Sequence, residues 1–164
     1  MLKNFPFPQG RTIDDLSTTY KYFFAAEKIG YLNVSLYYYY YQENHNSIMR
    51  KMSKPATRHF RNYYDVFLGF KERYEFAINN DFTEALPACN YLATKTAISA
   101  LKTIYNSNIE MTDAKIQDIE TFLKTSISPS VYNKLNIKNK FLIYSFLNIK
   151  PLHKFSSLWR NLKN

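Results

Sequence analysis

Glycine occurs only three times in the 164 residues and proline six times. So few turn formers exclude a sandwich or barrel of short strands joined by tight hairpins. Cysteine occurs once, at Cys89, so an internal disulfide is impossible, and its place among Leu86, Leu92 and Ala93 reads as that of a small core residue. His45, His59 and His153 stand far apart without ligand spacing, which leaves no metal site built on them. No Asp-x-Asp triplet occurs anywhere. The longest apolar run, residues 141–147, is interrupted by Ser145 and falls well short of the roughly 20 residues a bilayer-spanning helix needs. The opening MLKNFPFPQG lacks the apolar stretch of a signal peptide. The expected location is therefore cytoplasmic, soluble or peripheral on the inner face of the membrane.

Acidic residues are missing from one region altogether. Residues 1–120 carry 14 Lys/Arg against 13 Asp/Glu, whereas residues 121–164 carry 8 Lys/Arg and no acid, so almost all of the net charge of +9 lies in the C-terminal quarter. A block this one-sided is an interaction surface or a loosely held tail. Nucleic acid is not the expected partner: only the pI of about 9.5 and interleaved Tyr and Lys favour it, and no helix-turn-helix, zinc-finger or RNP-like pattern is present.

What the chain does have is apolar and aromatic side chains. At 46% hydrophobic it is long enough for one domain with a real core. Its 15 tyrosines exceed what a core needs, which places some at half-wet surfaces or in strands.

The stretch with a chemical vocabulary is 7–49. Asp14-Asp15 precedes a helical pattern of Leu16, Tyr20, Phe23 and Phe24 that continues into Ala25-Ala26. A carboxylate there caps orphan N–H groups at the positive end of the helix dipole. Two adjacent acids repel, however, and the one not needed as a cap is a candidate general base. Runs 28–33 and 36–42, rich in Tyr and large apolar residues, read as strands, and a polar loop with Gln42, Glu43, Asn44, His45 and Asn46 follows. Strands left unpaired at an edge invite association, so a homodimer through them is expected.

The order of these residues resembles the second half of the catalytic domain of family 2 glycosyltransferases, the bacterial enzymes that build capsule, exopolysaccharide and other surface glycans. The matching words are Phe7-Pro8, Gly10, Asp14-Asp15, Thr19-Tyr20-Lys21, Ala26, Lys28-Ile29, Tyr31, Leu36-Tyr37-Tyr38-Tyr39 and Asn46-Ser47-Ile48-Met49. The resemblance implies that Asp15 is the base that deprotonates the acceptor hydroxyl, with Asp14 in place of the family's usual glutamate. It places Arg11, Tyr38, Gln42, His45 and Ser47 at the substrate. Where many relatives carry arginine after the third tyrosine, this chain has Tyr40, so a donor-phosphate contact by that arginine does not carry over. The family's nucleotide-sugar half, which ends in an Asp-x-Asp metal motif, has no counterpart here. The expectation is the C-terminal part of such an enzyme, inactive alone. Mg²⁺ or Mn²⁺, a nucleotide-sugar donor and a glycan or lipid-linked acceptor belong to a complete enzyme.

The remainder reads as helical. Arg50, Lys51, Lys54, Arg58 and Arg61 are either a solvated loop and first helical turn or a phosphate-facing cluster. From Thr57 to Asn80 the residues Phe60, Tyr63, Tyr64, Phe67, Phe70, Tyr74 and Ala77 keep helical spacing. Asp81 with Glu84 resembles a capping box for a second helix through Leu86, Leu92, Ala97, Leu101 and Ile104, the two forming an antiparallel hairpin. Thr112 or Asp113 caps a third with Ile116, Ile119 and Leu123 inside, and Ser128-Pro129 opens a short turn to Leu135. The tail divides into 139–149 and 151–163. In the second piece Leu152, Phe155, Leu158, Trp159 and Leu162 share a face, with Lys150, Lys154, Arg160 and Lys163 elsewhere. That face suits an anionic membrane interface, met by Lys150, Lys154, Phe155, Trp159, Arg160 and Lys163, or the flank of the bundle. The overall expectation is α+β, mainly α. It comprises a small loop–helix–two-strand unit over 1–49 and a helical region over 50–164 ending in a basic amphipathic tail. A module that docks on membranes or on a partner chain without chemistry is the alternative function.

Overall fold

The computed structural model describes residues 5–11, 13–38, 60–104 and 114–149. Helix makes up 69% of that part and no strand occurs among the described residues. A 3-10 turn, Asp15–Ser17, leads into α1 (Thr19–Ala25); among the described residues α2 (Phe60–Asn79), α3 (Leu86–Ile104), α4 (Ala114–Thr125), α5 (Pro129–Lys134) and α6 (Ile137–Asn148) follow.

The two-strand expectation is thus corrected. Residues 28–33 and 36–38 are irregular and solvent-exposed, and 39–42 lie outside the described residues. The physical reason is the absence of a ladder. Tyrosine-rich sequence favours a strand only where a neighbouring strand takes its backbone groups and a surface takes its side chains. Among the described residues neither is supplied, and Tyr31 and Tyr38 remain 87% and 88% exposed.

α2 and α3 form the hairpin that the periodicity predicts, and the difference in their side chains explains the fit. α2 offers large rings and α3 offers alanines: Phe67 is fully buried, and so are Ala93, Ala97 and Ala100. Small residues on one helix let the rings of the other sink between its turns. Ile116, Ile119 and Phe122 of α4 and Leu142, Ile143 and Phe146 of α6 close the core. Phe67 and Phe122 meet edge to face with centroids 5.3 Å apart, a geometry that suits the ring quadrupoles.

Polar links fix the register. Lys71 of α2 pairs with Asp118 of α4, which also accepts from Tyr64 Oη at 3.0 Å. Buried Asn90 on α3 donates to the Ser126 carbonyl at 2.6 Å and accepts from the Ser128 amide at 3.1 Å. Ser128 caps α5 through its side chain and Pro129 opens it, as expected; Asn136 caps α6 through the Asn139 amide.

The turn between α2 and α3 differs from the expected capping box. Asp81 has φ 57°. Its amide bonds to the Ile78 carbonyl and that of Phe82 to the Ala77 carbonyl. This is a Schellman closure of α2, in which the left-handed position normally held by glycine is occupied by aspartate. Asp81 therefore ends one helix instead of starting the next, which begins at Leu86. The expected caps Thr112 and Asp113 lie outside the described residues.

Candidate functional site

The acid pair sits on a short segment clamped to α2. Leu16 lies against Gly69, where an added Cβ would come within 2.9 Å of the Leu16 Cβ and 3.4 Å of Ser17 Oγ. Only a glycine leaves room for that approach. Ser17 and Thr18 are buried at the junction. Arg11 reaches across with both terminal nitrogens, bonding Glu72 Oε2 at 2.8 Å and Oε1 at 2.6 Å, and it also donates to Ser17 Oγ. Arg61 donates to the Gly10 carbonyl at 2.9 Å. Further along, Tyr22 donates to the Phe5 carbonyl and its ring meets Phe5 and Phe7, each at 6.0 Å.

The electrostatics follow from that clamp. Burial by itself pushes the Glu72 carboxyl up, but hydrogen bonds from Arg11 and Ser17 and the Arg11 charge outweigh it and hold the group below the ordinary carboxylate range. Arg11, expected from the sequence at the substrate, is in this structure bridged to α2, its planar fork occupied by the Glu72 carboxylate.

Asp14 and Asp15 themselves face solvent. Asp14 occupies the N-cap position of the 3-10 turn without a side-chain cap bond. Asp15 Oδ1 accepts from the Leu16 amide at 2.9 Å. The N-cap of α1 is Thr18, also without a side-chain cap bond. Neither carboxylate closes the helix end that the sequence pattern offered it. Both stand at the open rim of an anchored turn.

Beside the turn lies an aromatic cluster that the sequence does not single out. Tyr20, Phe24 and Phe82 surround Phe76, with Tyr20 and Phe24 each at 5.2 Å from its centroid and near perpendicular. The Arg73 guanidinium lies 5.1 Å from the Tyr20 centroid and 5.4 Å from that of Phe70. Tyr20 Oη and Arg73 Nε are buried without hydrogen-bond partners. Desolvation, with a smaller contribution from Glu72, pushes the Tyr20 hydroxyl up to about 12.

Of the expected substrate residues, Tyr38 lies in the exposed irregular segment. Gln42, His45 and Ser47, the bases at 50, 51, 54 and 58, and the membrane-facing set Lys150, Lys154, Phe155, Trp159, Arg160 and Lys163 lie outside the described residues. Among the described residues no group of three or more His, Cys, Asp or Glu side chains stands positioned to hold a metal ion, and no helix is long and apolar enough to cross a membrane. Cys89 is buried, and desolvation raises its thiol, which fits a core residue rather than a nucleophile. Gly69 and Glu72 are the site residues missed from sequence. A glycine inside an otherwise strong helical pattern is a legible sign of close approach; the glutamate had no such sign.

No family model matches the chain, and no curated protein or solved structure shows significant similarity to it.

Proposed function

We propose that this chain is the acceptor-side, C-terminal portion of a family 2 glycosyltransferase of surface polysaccharide synthesis, inactive by itself. The observation that carries the reading is the acid pair: Asp14 and Asp15 stand exposed on a turn held by Arg11, Ser17 and Gly69, within the same run of residues that resembles the family's acceptor region. A base that takes a proton from a sugar hydroxyl needs a fixed position and an open face. In a complete enzyme Asp15 accepts the acceptor proton, the hydroxyl attacks the anomeric carbon in line, and the nucleoside diphosphate departs. Metal and donor belong to a part not found in these 164 residues, since the sequence holds no Asp-x-Asp.

The second reading is a docking module without chemistry. Its specific support is the exposed segment 29–38, in which Ile29, Tyr31, Leu32, Val34, Leu36, Tyr37 and Tyr38 all face solvent. Contiguous apolar exposure of this kind marks a surface that another chain or segment covers.

Backbone amide NMR of the chain, titrated separately with neutral oligosaccharides and with nucleotide sugars plus Mn²⁺, separates the two. Saccharide-induced shifts centred on residues 9–18, reduced in Asp15→Asn, and no response to the nucleotide sugars are expected. Shifts confined to 29–38 when other chains are added, with none from saccharide, favour the docking module. Tight Mn²⁺-dependent donor binding overturns the fragment reading.

A further inference from the structure

Helix α6 is apolar on two opposite sides. Leu142, Ile143 and Phe146 face the core and are buried, yet Ile137, Phe141 and Tyr144 on the outer side are 83%, 56% and 58% exposed. At about 100° per residue these three fall within roughly 60° of one another, a single stripe about 10 Å long. Tyr132 of α5 is exposed as well, its ring centroid 5.3 Å from Lys140 Nζ. A helix packed on a globular core is ordinarily polar on its far side, so this outer stripe suits a surface other than water.

We infer that the outer stripe of α6 docks the chain on an anionic lipid bilayer, lying in the interface with Ile137 and Phe141 below the headgroups. Charge chooses this occupant. Lys138 and Lys140 follow the helix on either flank of the stripe, and Lys140 reaches back to the Asn133 carbonyl at 3.4 Å, next to exposed Lys134. Neither α5 nor α6 contains an acid, and none of these three lysines pairs with a carboxylate among the described residues. The preceding acids, Asp118 and Glu120 on α4, are bridged to Lys71 and Lys124. A second copy would set lysine against lysine, and so would the acid-free segment 150–164. Anionic headgroups instead meet the lysines with opposite charge, while the lysine stems lie along the apolar surface and the Tyr144 hydroxyl stays at the wet level. Size agrees with charge. Three side chains at these exposures present a few hundred Å², short of the roughly 800 Å² per partner of a stable protein interface, whereas interfacial attachment builds up from apolar area and lysine charge together. Docking of this kind does not depend on the role of Asp14 and Asp15.

Flotation of the full chain with phosphatidylcholine vesicles, with and without an equal share of phosphatidylglycerol, tests the contact. Binding to the mixed vesicles and not to phosphatidylcholine alone is expected, and it weakens as NaCl screens the lysines. Lys138→Gln and Lys140→Gln are each expected to lower the partition coefficient about fivefold. Ile137→Ser and Phe141→Ser, which change no charge, each lower it about tenfold. Phe23→Ser, at a ring 58% exposed on α1, leaves it unchanged. All these side chains lie on the surface, and urea midpoints verify that each variant remains folded. No binding to either vesicle overturns the inference, and so does equal binding to both. Binding that Ile137→Ser and Phe141→Ser leave intact assigns attachment to another part of the chain and overturns it too. A dimer in sedimentation equilibrium that Phe141→Ser returns to monomer, without vesicle binding, makes the stripe a contact between copies instead.

Discussion

Arg11 holds Glu72 in a two-pronged bridge across 61 residues of sequence, at 2.6 and 2.8 Å. It is the main polar tie between the segment bearing Asp14 and Asp15 and the helical hairpin. Around it, Ser17 is buried and Leu16 rests on Gly69. The position of the candidate base thus depends on packing against α2 and not on its own short helix, which is only seven residues long and too short to persist alone.

Arg11→Ala leaves a half-buried carboxylate without its cation. Since the pair keeps 20% and 27% of its side-chain surface, the expected loss is about 1–2 kcal/mol, below that of a fully buried pair. Arg11→Lys recovers only part of it, because an ammonium lacks the fork. The pH dependence has a definite sign. The Glu72 carboxyl is held below its unfolded value, so its contribution is complete above the ordinary carboxylate range and disappears as pH falls through the depressed folded value. Urea midpoints of wild type and Arg11→Ala from neutral to acidic pH are expected to converge as Glu72 protonates; a constant gap places the effect elsewhere.

Gly69→Ala pits two local effects against each other. Alanine improves the helix by up to about 1 kcal/mol, but its Cβ meets the Leu16 Cβ, a backbone-tethered atom that cannot swing aside, and overpacking of this kind costs about 1–3 kcal/mol. The strain falls on the smaller partner. Faster hydrogen exchange in residues 13–25 is expected, with exchange in the core of α2 and α3 unchanged or slower. Uniform slowing would show that the close approach is not maintained in solution.

Asp81→Gly tests the turn that closes α2. An L-residue at φ 57° carries a conformational cost that glycine lacks, moderated here because aspartate tolerates the left-handed region better than most. A gain of about 0.5–1 kcal/mol in urea unfolding is expected, with a loss for Asp81→Val, whose branched Cβ suits that region poorly. A loss with glycine would mean that the aspartate side chain contributes a bond that outweighs its backbone cost.

The helices were legible because their cores are periodic: Phe60, Phe67 and Ala77 on α2, and Ile116, Ile119 and Leu123 on α4, repeat at helical spacing and are buried. Ser128-Pro129 was legible because cap chemistry is local. Three features depend on partners distant in sequence and were not. The tyrosines of 28–38 read as strands from composition, yet a strand requires a neighbour that composition does not specify. Asp81 carries the same side chain whether it starts a helix or ends one, and only its backbone angle decides. The Arg11–Glu72 bridge was not legible because Glu72 lies 61 positions away inside a helix whose pattern gives it no distinction. The acid pair was visible as a motif, but whether it caps a helix or faces solvent was a matter of where the helix begins.

Tyr20 supplies the alkaline counterpart to Glu72. Its hydroxyl is buried without a hydrogen-bond partner beneath Arg73 and beside Phe76, and desolvation first, then the nearby Glu72 charge, push it from an ordinary 10.0 up to about 12 against the opposing effect of Arg73. Between those values the unfolded chain releases the proton and the folded chain retains it. The folded state then binds more protons than the unfolded, so stability falls as pH rises through that window. Tyr20→Phe removes both the titration and the orphaned oxygen while keeping the ring on Phe76 and Arg73. At neutral pH the variant is expected to equal wild type or exceed it by up to about 1 kcal/mol, since an unpaired buried hydroxyl is a cost. Its advantage should widen steadily from about pH 10 toward about 12. Every other group is common to both proteins, so the difference between two series of urea midpoints isolates Tyr20. A difference that stays flat over that range would mean that the hydroxyl is solvated, and that the segment carrying Asp14 and Asp15 lies looser against α2 than Arg11 and Gly69 hold it here.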